Sequence, residues 1–559
     1  MLWLVTLISV INAAAALLPQ LKTDGPYFVE KDTGRVVLLR GVNMATKVPD
    51  FHIYNSPEVI KPLVDQGFNV VRLAFIWEAF EPLQDQFNSI YLDEYKAMIG
   101  ALADNDIYTL VDIHQDGWSR WSNGGCGEGF PAWTVPEGLK VEPVDQKNAE
   151  SVIMKQGYLN ATDANSEPIL YSDILSSVSL GKGLEGVNGI VGFDLFNEPV
   201  SMNAEFHADI IKTLKENGHE DSIFFVEPSM EATDTIIPSA YADQIVYAPH
   251  YFPSNSVFDQ LFGQLDYLIN YNIKNSANEF LVSPSNQLQE SIEFRMGIVK
   301  FLLKYVSKGH PNIESAIDTI FQVGKRLHTG FHEFLVSHNI SSASTVKAEL
   351  IGLQTGFVGF KALLKTVMPE VKINVTTDIQ GKLTPEVLDA RVPLFLGEFG
   401  VSRHAQFIHA KEYLLKVGDE MDARFAGYAQ WTYAPQWTEE LRDGWDLEDF
   451  SIMNPTTGFS FNDNFIAYRP YPKATAGIPV QLRVEMEPVV KLAYSFVAKE
   501  AGETVISFNR RGACGENGVV RVEAVGVLCQ GNEAETEIRC YADASTLVSG
   551  GVASIAASC

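Results

Sequence analysis

Two glutamates in this chain are placed where a pair of carboxylates could act on one bond. Glu198 lies in Asp194-Leu-Phe-Asn-Glu-Pro199 and Glu398 in Leu394-Phe-Leu-Gly-Glu-Phe-Gly400, each directly after an apolar run. Splitting a glycosidic bond with retention needs a protonated acid over the leaving oxygen and an ionised nucleophile beneath the anomeric carbon, roughly 5–5.5 Å apart. The two groups must therefore differ in protonation. Glu198, beside Asn197, is expected as the acid/base, its pKa raised by burial and by the second carboxylate. Glu398 is expected as the nucleophile, kept ionised by donors such as Arg72. One such glutamate alone could equally cap a helix or pair with an arginine. Here further strand-end residues, Arg72, His114, Asp116, Asn197, His250 and Trp431, would converge with the pair as a charged, hydrogen-bonding floor beside an aromatic platform, which suits a sugar. Neither His114 nor His250 has His-Glu-x-x-His spacing, and no Gly-x-Ser-x-Gly elbow follows a strand, so metallo-hydrolase and serine-esterase chemistry are disfavoured. Acid, base and nucleophile are all side chains, so no cofactor and no metal are expected.

Eight short apolar runs must carry these residues: Val36–Val42, Asn69–Phe75, Tyr108–His114, Ile190–Phe196, Ile223–Glu227, Ile245–Ala248, Pro393–Gly397 and Gly427–Tyr433. Such runs indicate strands buried on both faces, and Ser56–Gly67, Ile90–Asn105, Ala204–Asn217 and Ala405–Val417 between them have helical length and period. The expected fold is a (β/α)8 TIM barrel, which places catalytic groups at the C-terminal ends of its strands. The competing fold, an open doubly wound sheet, predicts a glycine-rich phosphate turn after the first strand, and Gly41-Val-Asn-Met-Ala-Thr-Lys47 is not one. Between the sixth and seventh runs, Pro253 to Arg391 is far longer than a loop and one helix require. Apolar residues at helical spacing, Ile292 to Val306 and Ile317 to Leu335, predict a mostly helical insertion there. It is read as a self-packed subdomain or as a lid with apolar surface for a lipid. After Tyr471 short alternating runs (Val480–Val484, Thr504–Phe508, Val519–Val527, Glu535–Tyr541) predict an antiparallel β-sandwich as a second domain from about Pro479.

Of the 559 residues, 46% are hydrophobic and 20% charged, an ordinary globular composition. The net charge of −28 would repel phosphate backbones, so nucleic acid is not an expected partner. Met1 to Leu18 has no charged side chain, is apolar and ends in Ala13 to Ala16, which reads as a secretory signal peptide cut near Ala16, the rival being an uncleaved N-terminal anchor. Sequons at Asn160, Asn339 and Asn374 agree with secretory entry, with an extracellular or lysosomal/endosomal destination. Four of the five cysteines, Cys514, Cys529, Cys540 and Cys559, cluster at the end of the chain and can pair in three ways, leaving Cys126 over.

The segments Asn197-Glu198-Pro199 and Gly397-Glu398-Phe-Gly400, with Arg72 and Trp431, resemble glycoside hydrolase family 5, a retaining family. Gly41-Val-Asn-Met, Val111-Asp-Ile-His-Gln-Asp116, Cys126-Gly-Glu-Gly-Phe-Pro-Ala-Trp133, Tyr247-Ala-Pro-His250, Gln430-Trp-Thr-Tyr433, Asp443-Gly-Trp-Asp-Leu-Glu-Asp449 and Arg469-Pro-Tyr-Pro-Lys-Ala-Thr-Ala-Gly477 narrow the resemblance to its endoglycoceramidase branch. That resemblance implies release of an intact glycan from ceramide. It also implies Glu198 as acid/base, Glu398 as nucleophile, and sugar contacts from Lys47, Asp116, Asn197 and Trp431. The implied partner is a glycosphingolipid, met at a membrane surface or micelle. Relatives in the branch act on glucosylceramide or steryl glucoside; a soluble β-glucanase is a further alternative, and so is a catalytically silent glycolipid-binding protein in which the sandwich and the insertion do the work, against which both glutamates count. Strand six departs from the family, which has a tyrosine two places after the histidine to hold the nucleophile; here that place is Phe252. Either Tyr251 takes over, or the hydroxyl is missing.

Overall fold

The structure, a computed structural model, describes residues 17–47, 56–122, 125, 127–143, 182–199, 204–228, 237–253, 374–403, 409–445, 448–457, 460–499, 502–531 and 536–559. Eight parallel strands form the central sheet: β1 (Arg40–Met44), β2 (Val70–Ile76), β3 (Tyr108–His114), β4 (Ile190–Asp194), β5 (Ile223–Val226), β6 (Ile245–Tyr247), β7 (Phe395–Leu396) and β8 (Gly427–Gln430). They run in the order β7-β8-β1-β2-β3-β4-β5-β6, and a parallel bridge between Tyr247 and Leu394 closes the ring. Past that bridge, His250–Tyr251 pairs in parallel with Glu398–Phe399. All eight expected strands are present, and the fold is the TIM barrel.

The strand period of two sorts the side chains. Along β2, Val71, Leu73 and Phe75 face outward into the main core with Val59, Ile60 and Leu63 of helix Pro57–Gln66 and Tyr91 and Tyr95 of helix Ser89–Ala103. Val70 and Arg72 face inward. Within the barrel, Leu39, Val70, Leu110, Phe225, Val246, Phe395 and Ala429 form an apolar floor, sealed from beneath by Leu18, Leu21 and Phe28. Each fully buried side chain of this kind contributes about 1.5–3 kcal/mol. The next inward positions, at Asn43, Arg72, Asp112, Asp194 and Glu227, are polar, so charge begins one layer above the floor.

Three elements differ from the sequence reading. The first run splits: Val36–Val37 pairs antiparallel with Phe28–Val29 and with Ala474–Thr475, and only Arg40–Met44 enters the barrel. The helix expected over Ala405–Val417 runs Ala410–Ala423, because its buried face continues through Met421. Val519–Val527 is two strands in two sheets, Arg521–Val525 and Val527–Gly531, with Gly526 at φ 74° turning the chain where a side chain would strike Thr546.

The sandwich is built from a seven-stranded and a four-stranded antiparallel sheet. The larger sheet begins with Leu21–Asp24, Tyr27–Glu30 and Val36–Val37 and continues through Tyr471–Thr475, so the two ends of the chain share it. The expected boundary at Pro479 falls inside strand Gly477–Glu485. Leu482, Leu492, Phe496 and Ile555 of the smaller sheet pack on Ile506, Ile538 and Cys540 of the larger. Cys529 and Cys540 sit opposite each other in register and are bonded, as are Cys514 and Cys559. Cys126, the segment 1–16, the helical runs expected over 292–335 and the sequons at 160 and 339 lie outside the described residues. Of the expected insertion, helices Val375–Lys382 and Pro385–Ala390 are described, packed beside the barrel through Val375 and Ile379. Among the described residues no helix is long and apolar enough to cross a membrane.

Candidate active site

Arg72 is the hub of the polar layer. Its Nε donates to Asp194 Oδ2 at 2.8 Å; Nη1 donates to Glu398 Oε1 at 2.7 Å and Asn43 Oδ1 at 3.0 Å. Nη2 donates to Asp112 Oδ1 and Asn197 Oδ1, both at 2.9 Å, and to Glu227 Oε1 at 3.1 Å. Burial opposes the charge on Arg72, but Asp112, Asp194, Glu398 and Glu227 together hold it well above its ordinary pKa. Arg72 shares these four carboxylates with two imidazoles, His114 on Asp112 and His250 beside Glu227 and Glu398. Burial pushes Asp194 well above the carboxylate range against the pull of Arg72, whereas at Asp112 the attraction of Arg72 and His114 outweighs burial and lowers it.

The two candidate catalytic groups meet at the top of this layer. A carboxylate oxygen of Glu198 and one of Glu398 lie within 4.8 Å of each other, with His250 in the same group. His250 Nδ1 hydrogen-bonds to Glu198 Oε1 at 3.0 Å and stands 3.6 Å from Glu398 Oε2. Gly397 is required here, since a side chain at that position would meet His250 Nε2 at 2.9 Å. Glu398 is 6% exposed and Glu198 27%, so Glu398 is gripped in the floor and Glu198, expected to be the buried one of the pair, reaches toward solvent. Burial raises the Glu398 carboxyl, His250 and Arg72 pull it back, and the charge of Glu198 pushes it up again. Glu198 has φ 45°, a left-handed conformation that costs a non-glycine residue about 1–3 kcal/mol and is sustained by its surroundings.

Lys47, His114, Asp116, Asn197, Trp431, Glu448, Phe252 and Phe450 line an open cleft of about 210 Å³ with the two glutamates. Trp431 stacks on His114 with centroids 5.5 Å apart and planes at 10°, and Lys47 Nζ lies 4.6 Å from the Trp431 ring centre. Lys47 is ion-paired to Asp116 and lies 3.7 Å from both Glu128 and Glu448. Burial would lower the His114 pKa, but Asp112 at 2.7 Å outweighs it and pushes the imidazole up to about 10. Asn197 donates from Nδ2 to Gln115 O at 2.9 Å, which fixes the amide beside Glu198. The arrangement offers a protonatable carboxyl, a buried carboxylate, hydrogen-bonding groups of both signs and an aromatic face, the set that retaining glycoside cleavage needs. The cellulase family (glycosyl hydrolase family 5) matches residues 30–288.

The match takes in the first six barrel strands and Glu198, and stops short of Glu398.

The chain is similar to endoglycoceramidase I of Rhodococcus hoagii, 31% identical over 186 residues, 32% of this chain and 37% of that protein. It is also similar to an endoglycoceramidase of Cyanea nozakii, 31% identical over 223 residues, 34% of this chain and 43% of that one. The matched stretches thus span less than half the length of either relative. A solved endo-glycoceramidase II from Rhodococcus sp., in complex with ganglioside GM3, superposes with a TM-score of 0.55 at 18% identity, covering 94% of this chain and 98% of that one, which shows a common fold.

The strand-six departure from family 5 is resolved by the alternation of the strand. His250 faces the carboxylate pair and Phe252 lines the cleft, so Tyr251 between them faces out. There its hydroxyl donates to Asp378 Oδ2 at 2.6 Å, among Val375, Ile379 and Tyr413. Tyr251 is therefore no substrate-binding residue, contrary to the expectation, and Phe252 brings no hydroxyl to Glu398. Arg72 and His250 alone hold that carboxylate among the described residues. Arg72 and His250 themselves do not line the cleft; they support the residues that do.

Sequence reasoning missed Asn43, Asp112, Asp194, Glu227 and Glu128. The signal for three of them was present: Asp112 is two residues before His114, Asp194 opens the segment that holds Glu198, and Glu227 ends a run two residues after Phe225. Polar residues at inward positions of apolar strands cannot be left without partners. Glu128 follows no strand. It is buried by a backbone exchange with Asp116, N–H to O at 3.0 and 2.7 Å, and burial raises its carboxyl to about 7.

Proposed function

We propose that this chain is a retaining β-glycosidase that cleaves the bond between the glycan and the ceramide of a glycosphingolipid. Glu398 attacks the anomeric carbon while Glu198 protonates the departing ceramide oxygen. Glu198 then takes a proton from the water that frees the sugar from Glu398. Trp431 forms the platform under the reacting sugar, and Lys47, Asp116 and Asn197 hold its hydroxyls. The observation that carries the reading is the approach of the Glu198 and Glu398 carboxylates to within 4.8 Å, the short separation of a retaining pair with no room for an inverting water. The ceramide assignment is supported by the relatives named endoglycoceramidase.

The substrate sits in a membrane or micelle, so the cleft works at a lipid surface. The chain enters the secretory pathway on the apolar segment at its start and acts outside the cell or in the lysosome, with Asn374, exposed at a helix start, as a glycan acceptor. Product analysis after incubation with a ganglioside tests the reading. Intact oligosaccharide with free ceramide is expected. Glucose from glucosylceramide alone would make it an exo-acting glucosidase, cello-oligosaccharide cleavage alone would remove the lipid, and binding without turnover would make it a silent receptor.

A further inference from the structure

Glu227 follows β5 and is 2% exposed, and it touches the acid/base from two directions. Its Oε2 accepts the main-chain N–H of Glu198 at 2.9 Å. Its Oε1 lies 3.1 Å from His250 Nε2, in a contact too bent for a regular hydrogen bond, and accepts from Arg72 Nη2 at 3.1 Å. The other nitrogen of the same imidazole, Nδ1, is the one that hydrogen-bonds to Glu198 Oε1 at 3.0 Å. One buried carboxylate therefore grips Glu198 at its backbone and, through His250, at its carboxyl tip.

We infer that Glu227 is the positioning residue for the acid/base Glu198, fixing its left-handed backbone and the orientation of the imidazole that meets its carboxyl. This role rests on the retaining mechanism proposed for the pair. At φ 45° the Glu198 amide N–H turns toward strand five, and the chain holds that conformation because a carboxylate waits there to accept it. Without Glu227 the peptide relaxes and the carboxyl swings. With one nitrogen facing Glu227 and the other Glu198, the imidazole is fixed in its plane, in the manner of a histidine oriented by a carboxylate on its far side. Burial disfavours the charged ring, but the carboxylates of Glu227 and Glu398 outweigh it and favour the doubly protonated form, in which Nδ1–H donates to Glu198. Glu398 is reached by neither oxygen of Glu227; its hydrogen bond comes from Arg72 Nη1, whereas Glu227 accepts from Nη2, and the imidazole they share stands farther from Glu398, at 3.6 Å, than from Glu198, at 3.0 Å.

This division gives a readout that a merely structural role would not move. The acid is needed to expel a poor leaving group and hardly at all for an activated one, whereas the nucleophile is needed for both. The experiment measures kcat/KM of wild type, Glu227→Gln and Glu227→Asp on phenyl β-lactoside and 2,4-dinitrophenyl β-lactoside. The ratio of the two is independent of how much of a sample is folded. Loss of about 10- to 100-fold on the phenyl substrate, with less than about threefold on the dinitrophenyl one, is expected. In the same variants azide, which needs no base, should attack the anomeric carbon of the glycosyl–Glu398 ester, release the Glu398 carboxylate and yield lactosyl azide. The Asp variant keeps a charge for Arg72 and withdraws from the Glu198 amide, so it reports on positioning where the Gln variant also loses an ion pair. An unchanged ratio in both variants, with or without a common fall in rate, would overturn the inference. An inverted anomeric product from wild type would overturn the retaining reading instead.

Discussion

The hydroxyl of Tyr251 donates to Asp378 at 2.6 Å on the outer side of the barrel, away from the carboxylate pair. Removing it should therefore cost stability rather than catalysis. Tyr251→Phe is expected to keep kcat/KM on an aryl β-lactoside within about twofold and to lower the unfolding free energy by about 1 kcal/mol, the net worth of one hydrogen bond. Steady-state kinetics beside urea unfolding measure both. A tenfold loss of kcat/KM at unchanged stability would return Tyr251 to the site.

Arg72 compensates Asp112, Asp194, Glu227 and Glu398 in the barrel interior. Arg72→Met leaves those carboxylates without their common partner, and breaking a buried ion pair in this way costs about 3–5 kcal/mol. Urea unfolding of the variant should show a loss of that size. Stability equal to wild type would mean that the carboxylates are neutralised by protons alone.

Stability should be greatest at mildly acid pH. His114 is raised from 6.5 to about 10, so its contribution is complete below about 6.5 and is lost as pH climbs through 10. Glu128 is raised from 4.5 to about 7, so its folded form binds the proton more tightly and its contribution is lost as pH rises from 4.5 through 7. Asp116 has the opposite sign. Burial opposes its ionisation, but Lys47 and His114 hold its pKa below the ordinary 3.8, and its contribution disappears as pH falls beneath that value. Urea midpoints measured from pH 3 to 10 should pass through a maximum at about pH 4–4.5 and then decline. Glu128→Gln should flatten the decline between 4.5 and 7 and leave the alkaline part intact. An unaltered slope in that window would remove Glu128 as its source.

The barrel was legible because parallel strands buried on both faces are written as continuous apolar runs, and Glu198, Glu398, Arg72, His114 and Trp431 stand in or just after such runs. What escaped depends on partners distant in sequence. Val36–Val37 reads as part of the first barrel strand until strand Tyr471–Thr475 comes to pair with it. Val552–Ser558, rich in Ala and Ser, carries little β-propensity, yet it lies between Lys491–Ala498 and Arg521–Val525, where tertiary pairing overrides composition. The direction of Tyr251 follows from alternation once His250 is anchored inward, and only the contact of that imidazole with Glu198 anchors it.

The cysteine pairing, left open among three arrangements by the sequence, is Cys514–Cys559 and Cys529–Cys540. Peptide mapping under non-reducing conditions should recover those two linkages. Replacing Cys514 and Cys559 by Ser should destabilise the sandwich by about 2–4 kcal/mol, because that bond closes the longer loop, 45 residues against 11. An equal or larger loss from the Cys529–Cys540 pair would mean that strain or packing, not chain entropy, sets the effect.

Glu398 as the nucleophile of a double displacement is the claim on which the proposed mechanism depends. A 2,4-dinitrophenyl 2-deoxy-2-fluoro-β-lactoside should glycosylate the enzyme and accumulate as the trapped ester, and digestion with mass spectrometry should find the fluorolactosyl group on the peptide bearing Glu398. Label on Glu198, or turnover of an unfluorinated lactoside with no trapped intermediate and an inverted anomeric product, would contradict it.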